Sequence, residues 1–358
     1  MVSATRQSCA VWLKNRVHGS YSVEKPRRPD QAAISTRERE ALRINILPLL
    51  AASPSRSITL QLANVLKTIV AHDFPQRWPG LVGEIRKLLS SNSVNDVHAG
   101  CIAALEAVRA FRFRQKNDIL SDIVKQLFPT LVEIATQMVR QPPNAAQEIP
   151  TMLHLIIKTY RTTIVVNLSQ HQQSNESLVP WGQLLFAVVN LRLPKEATPE
   201  DPEEREKSEW WKAKKWAFAV LGRLFHRYGN PSQMPSALHD DYIEFARRFV
   251  STFAPEILSI YLQQVELYVS NQEWLSSKCQ YQIFQFFTEW SVNTFLSFHP
   301  TRTEMCKTSV KPKTMWVLLK PHFEKLVSNF IFPHLSFNES RRALWDSDPV
   351  DYVRVSAG

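Results

Sequence analysis

Ten histidines and four cysteines are the residues of this chain best suited to metal ligation or nucleophilic attack, and their spacing supports neither. Cys9, Cys101, Cys279 and Cys306 form no close pair of the kind that clasps zinc. All but Cys306 fall in apolar periodic runs, so they read as buried, reduced thiols of a cytosolic or nuclear protein. His226 and His322 lie in helical patterns with no cysteine or acidic residue at ligand spacing. No phosphate-binding glycine loop, nucleophile elbow or His-Glu-x-x-His pair is present. The chain has 8 glycines in 358 residues, where average usage would give roughly 25. Doubly wound nucleotide enzymes need glycine at their turns. These residues predict a protein that is not an enzyme and needs no cofactor.

The densest polar constellation is electrostatic. Glu200, Asp201, Glu203, Glu204, Glu206 and Glu209, with Pro199 and Pro202 among them, make an acidic loop over 200–209. The segment WWKAKKWAFAVLGRLFHRYGNP follows at 210–231. Negative charge ahead of a helix is favoured by the unpaired N–H groups of the first turn. Ala213, Ala217, Val220, Leu224 and Tyr228 recur every three or four residues and define an apolar face, with Lys212, Lys215, Arg223 and Arg227 behind it. Such a helix must lie against neighbours, so Trp210, Trp211 and Trp216 are expected in the core, as is Trp78. The acidic loop itself reads either as a solvated linker or as a mobile contact for a basic partner.

Around this segment the sequence is helical throughout. The first expected helix, 3–17, carries Ala10, Leu13 and Val17 on one face. Ser35 with Glu38 forms a capping box that opens a second, to Ala51. Others are expected at 56–71, 80–90, 95–114, 118–139, 145–167, 177–192, 208–228, 236–253, 255–270, 272–297 and 313–335, with a further start at Asp348-Pro349. The 22 prolines read mostly as punctuation between them. No uncharged apolar stretch reaches the roughly 18 residues of a membrane span, and no secretory leader is evident.

Helix pairs at a period near forty residues, roughly, mark HEAT-type repeats. A single compact bundle is the alternative, but a core that outgrows about 250–300 residues breaks into domains. The pattern therefore predicts an all-α, right-handed α-solenoid of HEAT-type helix pairs. The net charge is +10, which would suit an anionic partner. Yet the 43 basic residues are scattered and no run of consecutive Lys or Arg exceeds two. Nucleic-acid binding is not the expectation.

Four stretches carry a family resemblance. CAVWLKNRV (9–17) and AHDFPQRWPGL (71–81) resemble the N-terminal region of the importin-beta (karyopherin) superfamily. WWKAKKWA (210–217) and IFPHLSFNESRRALWDSDPVDYVR (331–354) resemble its importin seven and eight branch, where an acidic loop precedes the tryptophan-lysine segment. Members are far longer, so the resemblance implies a truncated chain that begins inside the first repeat. It divides the sequence into a partial Ran-binding region at 1–90 lacking its first helix, HEAT repeats at 91–199, the acidic loop at 200–209, and further repeats at 210–358 with an insertion at 299–314. A missing first helix would leave Ala10, Leu13 and Val17, with Trp12, facing water.

The resemblance further implies a nuclear transport receptor that shuttles between cytoplasm and nucleus and binds Ran-GTP through its inner helices. Phe-Gly repeat nucleoporins would be touched transiently, and basic protein cargo would bind through regions outside this chain. A HEAT scaffold of a stable complex without Ran dependence is the alternative. For Ran the natural contacts are charged and amide groups of the first inner helices: Arg6, Gln7, Lys14, Asn15, His72 and Asp73. Helix capping is the competing role for Asn15 and Asp73.

Overall fold

A computed structural model describes residues 2–22, 32–113, 118–142, 148–193, 199–230, 236–296, 315–335 and 339–350. Every regular element among them is helical. The chain divides into two compact units, residues 1–223 and 224–358.

The first unit contains α1 (Val2–Ser20), α2 (Thr36–Ala51), α3 (Arg56–Asp73), α4 (Leu81–Leu89), α5 (Val94–Phe111), α6 (Asp118–Arg140), α7 (Ile149–Thr163), the short α8 (Gln170–Gln173), α9 (Asn175–Asn190) and α10 (Pro202–Lys207). It also holds α11 (Glu209–Tyr228) as far as Arg223. Helices pair as α2 with α3, α4 with α5 and α6 with α7. One layer then stacks α1 on α3, α3 on α5 and α5 on α7, while a second stacks α4 on α6 and α6 on α9. This is the HEAT arrangement that the periodicity predicts.

Local sequence explains how the layers close. The capping box of α2 forms as expected: the Glu38 N–H donates to Ser35 Oγ at 3.3 Å and the Ser35 N–H to Glu38 Oε2 at 2.7 Å. Helix α5 lies between α3 and α7, and every residue from Ala99 to Val108 is buried. A helix so surrounded must be largely apolar; its buried Glu106 is paired with Arg109, and small residues let its neighbours approach. A Cβ at Gly100 would meet the Leu89 side chain at 3.0 Å. Farther along, Phe128, Tyr160 and Trp181 form an aromatic cluster with centroids 4.4–5.6 Å apart.

The second unit contains the last residues of α11, then α12 (Ser236–Thr252), α13 (Ala254–Val269), α14 (Ser277–Leu296) and α15 (Met315–Leu326). Helix α15 continues through a π-turn (Val327–Ile331) into α16 (Phe332–Leu335), and α17 (Glu339–Ser347) follows. Phe225, Phe286 and Trp290 make its core, with centroids 4.6–5.3 Å apart. Tyr261 packs edge-on against Phe286. A second cluster stacks Phe284 on Phe330 at 4.5 Å, under His334.

Several expectations need correction. Helix α1 is not stranded in water: it packs on α3 and buries Ala10 and Val17, leaving Trp12 66% exposed. Cys9 is exposed, while Cys101 and Cys279 are buried as expected. Pro48, Pro129, Pro180 and Pro321 lie inside helices rather than between them. The acidic loop is not a loop, because Asp201 caps the short helix α10 and Glu209 opens α11. Trp216 is half-buried, whereas Trp78, Trp210 and Trp211 are core. His226 does meet an acidic partner, Glu289 Oε1 at 2.7 Å, from 63 residues away. Helix α17 was not anticipated. The expected insertion at 299–314 and Cys306 lie outside the described residues.

Candidate functional site

The α1 surface and the end of α3 carry the residues singled out as Ran contacts. Arg6, Gln7, Asn15 and His72 are exposed and Lys14 is half-buried. Gln7 reaches α3, its Oε1 accepting from Ser57 Oγ at 3.3 Å. Because α1 continues to Ser20, Asn15 sits inside the helix and caps nothing.

Asp73 is fully buried, and its side chain is no cap either. Its Oδ2 accepts from the Tyr21 hydroxyl and from Arg43 Nη1, each at 2.6 Å, while Arg77 Nη1 lies 3.7 Å from Oδ1. Burial first, then the hydrogen bond to Asp73, pushes the Tyr21 phenol far above its ordinary range, so it stays a donor. Arg39 covers the Tyr21 ring at 4.7 Å, and His72 packs beside it at 5.7 Å. The node thus ties the end of α1, α2 and the turn after α3 together, and it holds His72 at its exposed rim. Asp73 organises this surface without being able to touch a partner.

The acidic residues divide into two groups. Glu200, Asp201, Glu203 and Glu204 are exposed and Glu206 is half-buried. Asp201 accepts from the N–H groups of Glu203 and Glu204, and Lys207 pairs with Glu204 at 2.9 Å. Glu209 instead sits among three basic partners from three helices. His154 Nδ1 of α7 donates to its Oε2 at 2.6 Å. Lys212 and Arg56 donate to its Oε1 at 2.8 and 3.3 Å. Burial alone would raise the Glu209 carboxyl, but the His154 and Lys212 hydrogen bonds outweigh it and hold the group at about 2. Burial pulls His154 below the imidazole range, so at neutral pH it is the uncharged tautomer that donates from Nδ1.

From this ion pair a seam runs between α7 and α11. Lys158 lies over the Trp216 ring at 5.9 Å, and Lys215 covers the same ring at 5.2 Å. Farther on, burial and then the charge of Arg223 lower Arg161, while Arg223 Nη2 donates to Val165 O at 3.0 Å. The rungs 154/209, 158/216 and 161/223 rise together, so α7 and α11 run parallel, as equivalent helices of consecutive repeats do. On α5, Glu106 Oε1 accepts from Arg109 Nη1 at 2.5 Å beside the seam. His154 and Lys158 were missed in the sequence, since no local signal marks a contact made 55 residues away. Among the described residues no group of three or more His, Cys, Asp or Glu side chains could hold a metal ion. Nor is any described helix long and apolar enough to cross a membrane.

Helix pairs stacked in two layers define a HEAT-repeat protein. Comparison with known proteins narrows this. No family model matches the sequence. Human importin-8 is 25% identical over 355 residues, 98% of this chain and 32% of its own length. An importin beta-like SAD2 homolog of Arabidopsis thaliana is 27% identical over 354 residues, 98% of this chain and 31% of its own. Among solved structures, the exportin Cse1 in its cargo-free, cytoplasmic state matches with a TM-score of 0.68 at 15% identity, covering 98% of this chain and 34% of that one. The Cse1 match shows the HEAT solenoid fold. Over 98% of its length the chain is similar to members of the importin-beta superfamily. It spans about a third of the length of the curated relatives it matches.

Proposed function

We propose that the chain is part of a nuclear transport receptor and that its first unit binds Ran in the GTP state. The observation that carries this is the alignment of 98% of the chain with importin-8. The exposed polar surface of α1, beside His72, supports it. In this reading Arg6, Gln7, Lys14, Asn15 and His72 meet the GTPase, and the buried Asp73 keeps the α1 and α3 ends in register. No chemistry is performed. Cargo and Ran-GTP are coupled ligands, the binding of one lowering affinity for the other.

Import is the proposed direction, with shuttling between cytoplasm and nucleus and transient contacts to Phe-Gly nucleoporins. Basic protein cargo is assigned to the length of the relatives that this chain does not span. The test is capture of the chain on immobilised Ran loaded with a non-hydrolysable GTP analogue or with GDP. Preference for the GTP form, lost in Lys14→Glu combined with Arg6→Glu, supports the proposal. Equal capture of both forms, or of neither, would favour a HEAT scaffold without Ran dependence.

A further inference from the structure

We propose that Glu209 is a releasable clasp that sets the curvature of the first unit by tying the starts of α3 and α11 to α7. These three helices are not all neighbours. Helices α3 and α7 each pack on α5, which lies between them, and α11 lies beyond α7 along the seam. Packed helix axes stand about 8–10 Å apart, so a flat row would hold α3 and α11 roughly 24–30 Å apart. An arginine and a glutamate side chain laid end to end fall short of that span. Yet Arg56 Nη1 donates to Glu209 Oε1 at 3.3 Å, across 153 residues. The starts of the inner helices are therefore drawn together on this rim, and Glu209 is the point where they meet.

All three attachments lie near helix N-termini. Arg56 opens α3, Glu209 opens α11, and His154 is in the second turn of α7. A bond at one end of a row of helices keeps that end from spreading and leaves the other end unconstrained, which fixes a curvature. Packing alone does this poorly, because stacked repeats touch only their neighbours and each interface shifts slightly as the row bends.

The two sides of the clasp are unequal. His154 Nδ1 donates to Oε2 at 2.6 Å from a side chain that is 10% exposed, and Lys212 holds Oε1 at 2.8 Å from within α11. The Arg56 side chain is 76% exposed, and its contact is the longest of the three. Salt screens an exposed pair far more than a buried one. The link to α3 is thus the one that gives way, while α7 and α11 stay joined. Curvature then depends on one solvated guanidinium, and it changes without any helix unfolding. None of these residues belongs to the surface proposed for Ran, so the inference stands apart from that reading.

The test is the distance between spin labels on α3 and on α10, which leads into Glu209, read by double electron–electron resonance on the full chain. Cys9 and Cys306 are replaced by serine, and Leu60→Cys and Glu203→Cys, both at exposed positions, carry the labels. Raising salt from about 50 to about 300 mM should lengthen the distance by several ångström, because it screens the Arg56 pair. Arg56→Gln should show the longer distance already at low salt and respond little to more. Arg86→Gln, which removes an exposed charge from α4, should behave as the parent does. Circular dichroism should show the same helix content in all three proteins. An equal distance in the parent and in Arg56→Gln at low salt overturns the inference. So does a lengthening in Arg86→Gln that matches the one in Arg56→Gln, since any lost cation would then suffice.

Discussion

The Tyr21 hydroxyl donates to Asp73 at 2.6 Å across 52 residues, inside a site closed to solvent. Asp73 holds Arg43 through the same oxygen. Removing the carboxylate would therefore strand a phenol and a guanidinium together. Asp73→Ala is expected to lower stability by about 3–5 kcal/mol, as loss of one partner of a buried pair does. Tyr21→Phe leaves Arg43 paired and should cost about 1.5–3 kcal/mol. Urea melts of the three proteins measure this. Equal losses in both variants would mean that Arg43 contributes nothing at the node.

Trp211 and Trp216 share a helix but not an environment. Trp211 is 4% exposed, whereas Trp216 is half-buried beneath two lysines. Trp211→Ala should destabilise by about 3–5 kcal/mol, and Trp216→Ala by clearly less. If thermal melts rank the two the other way, the packing described for α11 is wrong.

Acidification should weaken the first unit in two stages. The folded chain resists protonation of His154, so the unfolded chain takes up that proton first, and stability falls as pH drops below about 6.5. Glu209 is held at about 2 against an ordinary 4.5, so its contribution is present above that ordinary value and is lost between 4.5 and about 2. Glu106 acts the opposite way, since burial raises its carboxyl and protonation relieves it. Glu209→Gln should accordingly flatten the lower limb of a melting-temperature curve against pH. A variant curve parallel to the parent's below pH 4.5 would show that Glu209 is not held as described.

In the second unit, Gly229 closes α11 where a side chain has no room. A Cβ there would meet the Phe225 carbonyl oxygen, with the Phe225 ring 2.8 Å away. Gly229→Ala should destabilise this unit by about 1–3 kcal/mol through forced repacking. Unchanged melting would indicate that the backbone after Tyr228 yields freely.

Thiol accessibility offers an independent check on α1. Under native conditions a maleimide should label Cys9 and spare Cys101 and Cys279, as read by peptide mapping. Burial also pushes the Cys101 thiol up to about 12, suppressing the reactive thiolate. Protection of Cys9 would place α1 differently on α3.

The helices were legible because their signals are local. Ser35 and Glu38 announce a capping box within four residues, and the apolar face Ala213, Ala217, Val220, Leu224 and Tyr228 is buried as its spacing requires. Cys9 shows where periodicity stops. It sits in an apolar run, yet a helix packed against one neighbour has an outward side that the run does not identify. Glu209 was grouped with an acidic loop because its basic partners Arg56 and His154 come from α3 and α7, and only the stacking brings them together. In sequence Asp73 reads as a Ran contact or a helix cap for the same reason, its side-chain partners lying 52 and 30 residues away.

In the layer α1, α3, α5, α7 each helix packs on the next, so cohesion is passed from neighbour to neighbour and no centre holds the whole. Energy in such an array adds link by link. A lesion in α5 opens two links at once, to α3 and to α7. Damage to an inner helix of this row is thus felt first by its two neighbours and reaches the remaining helices only through them.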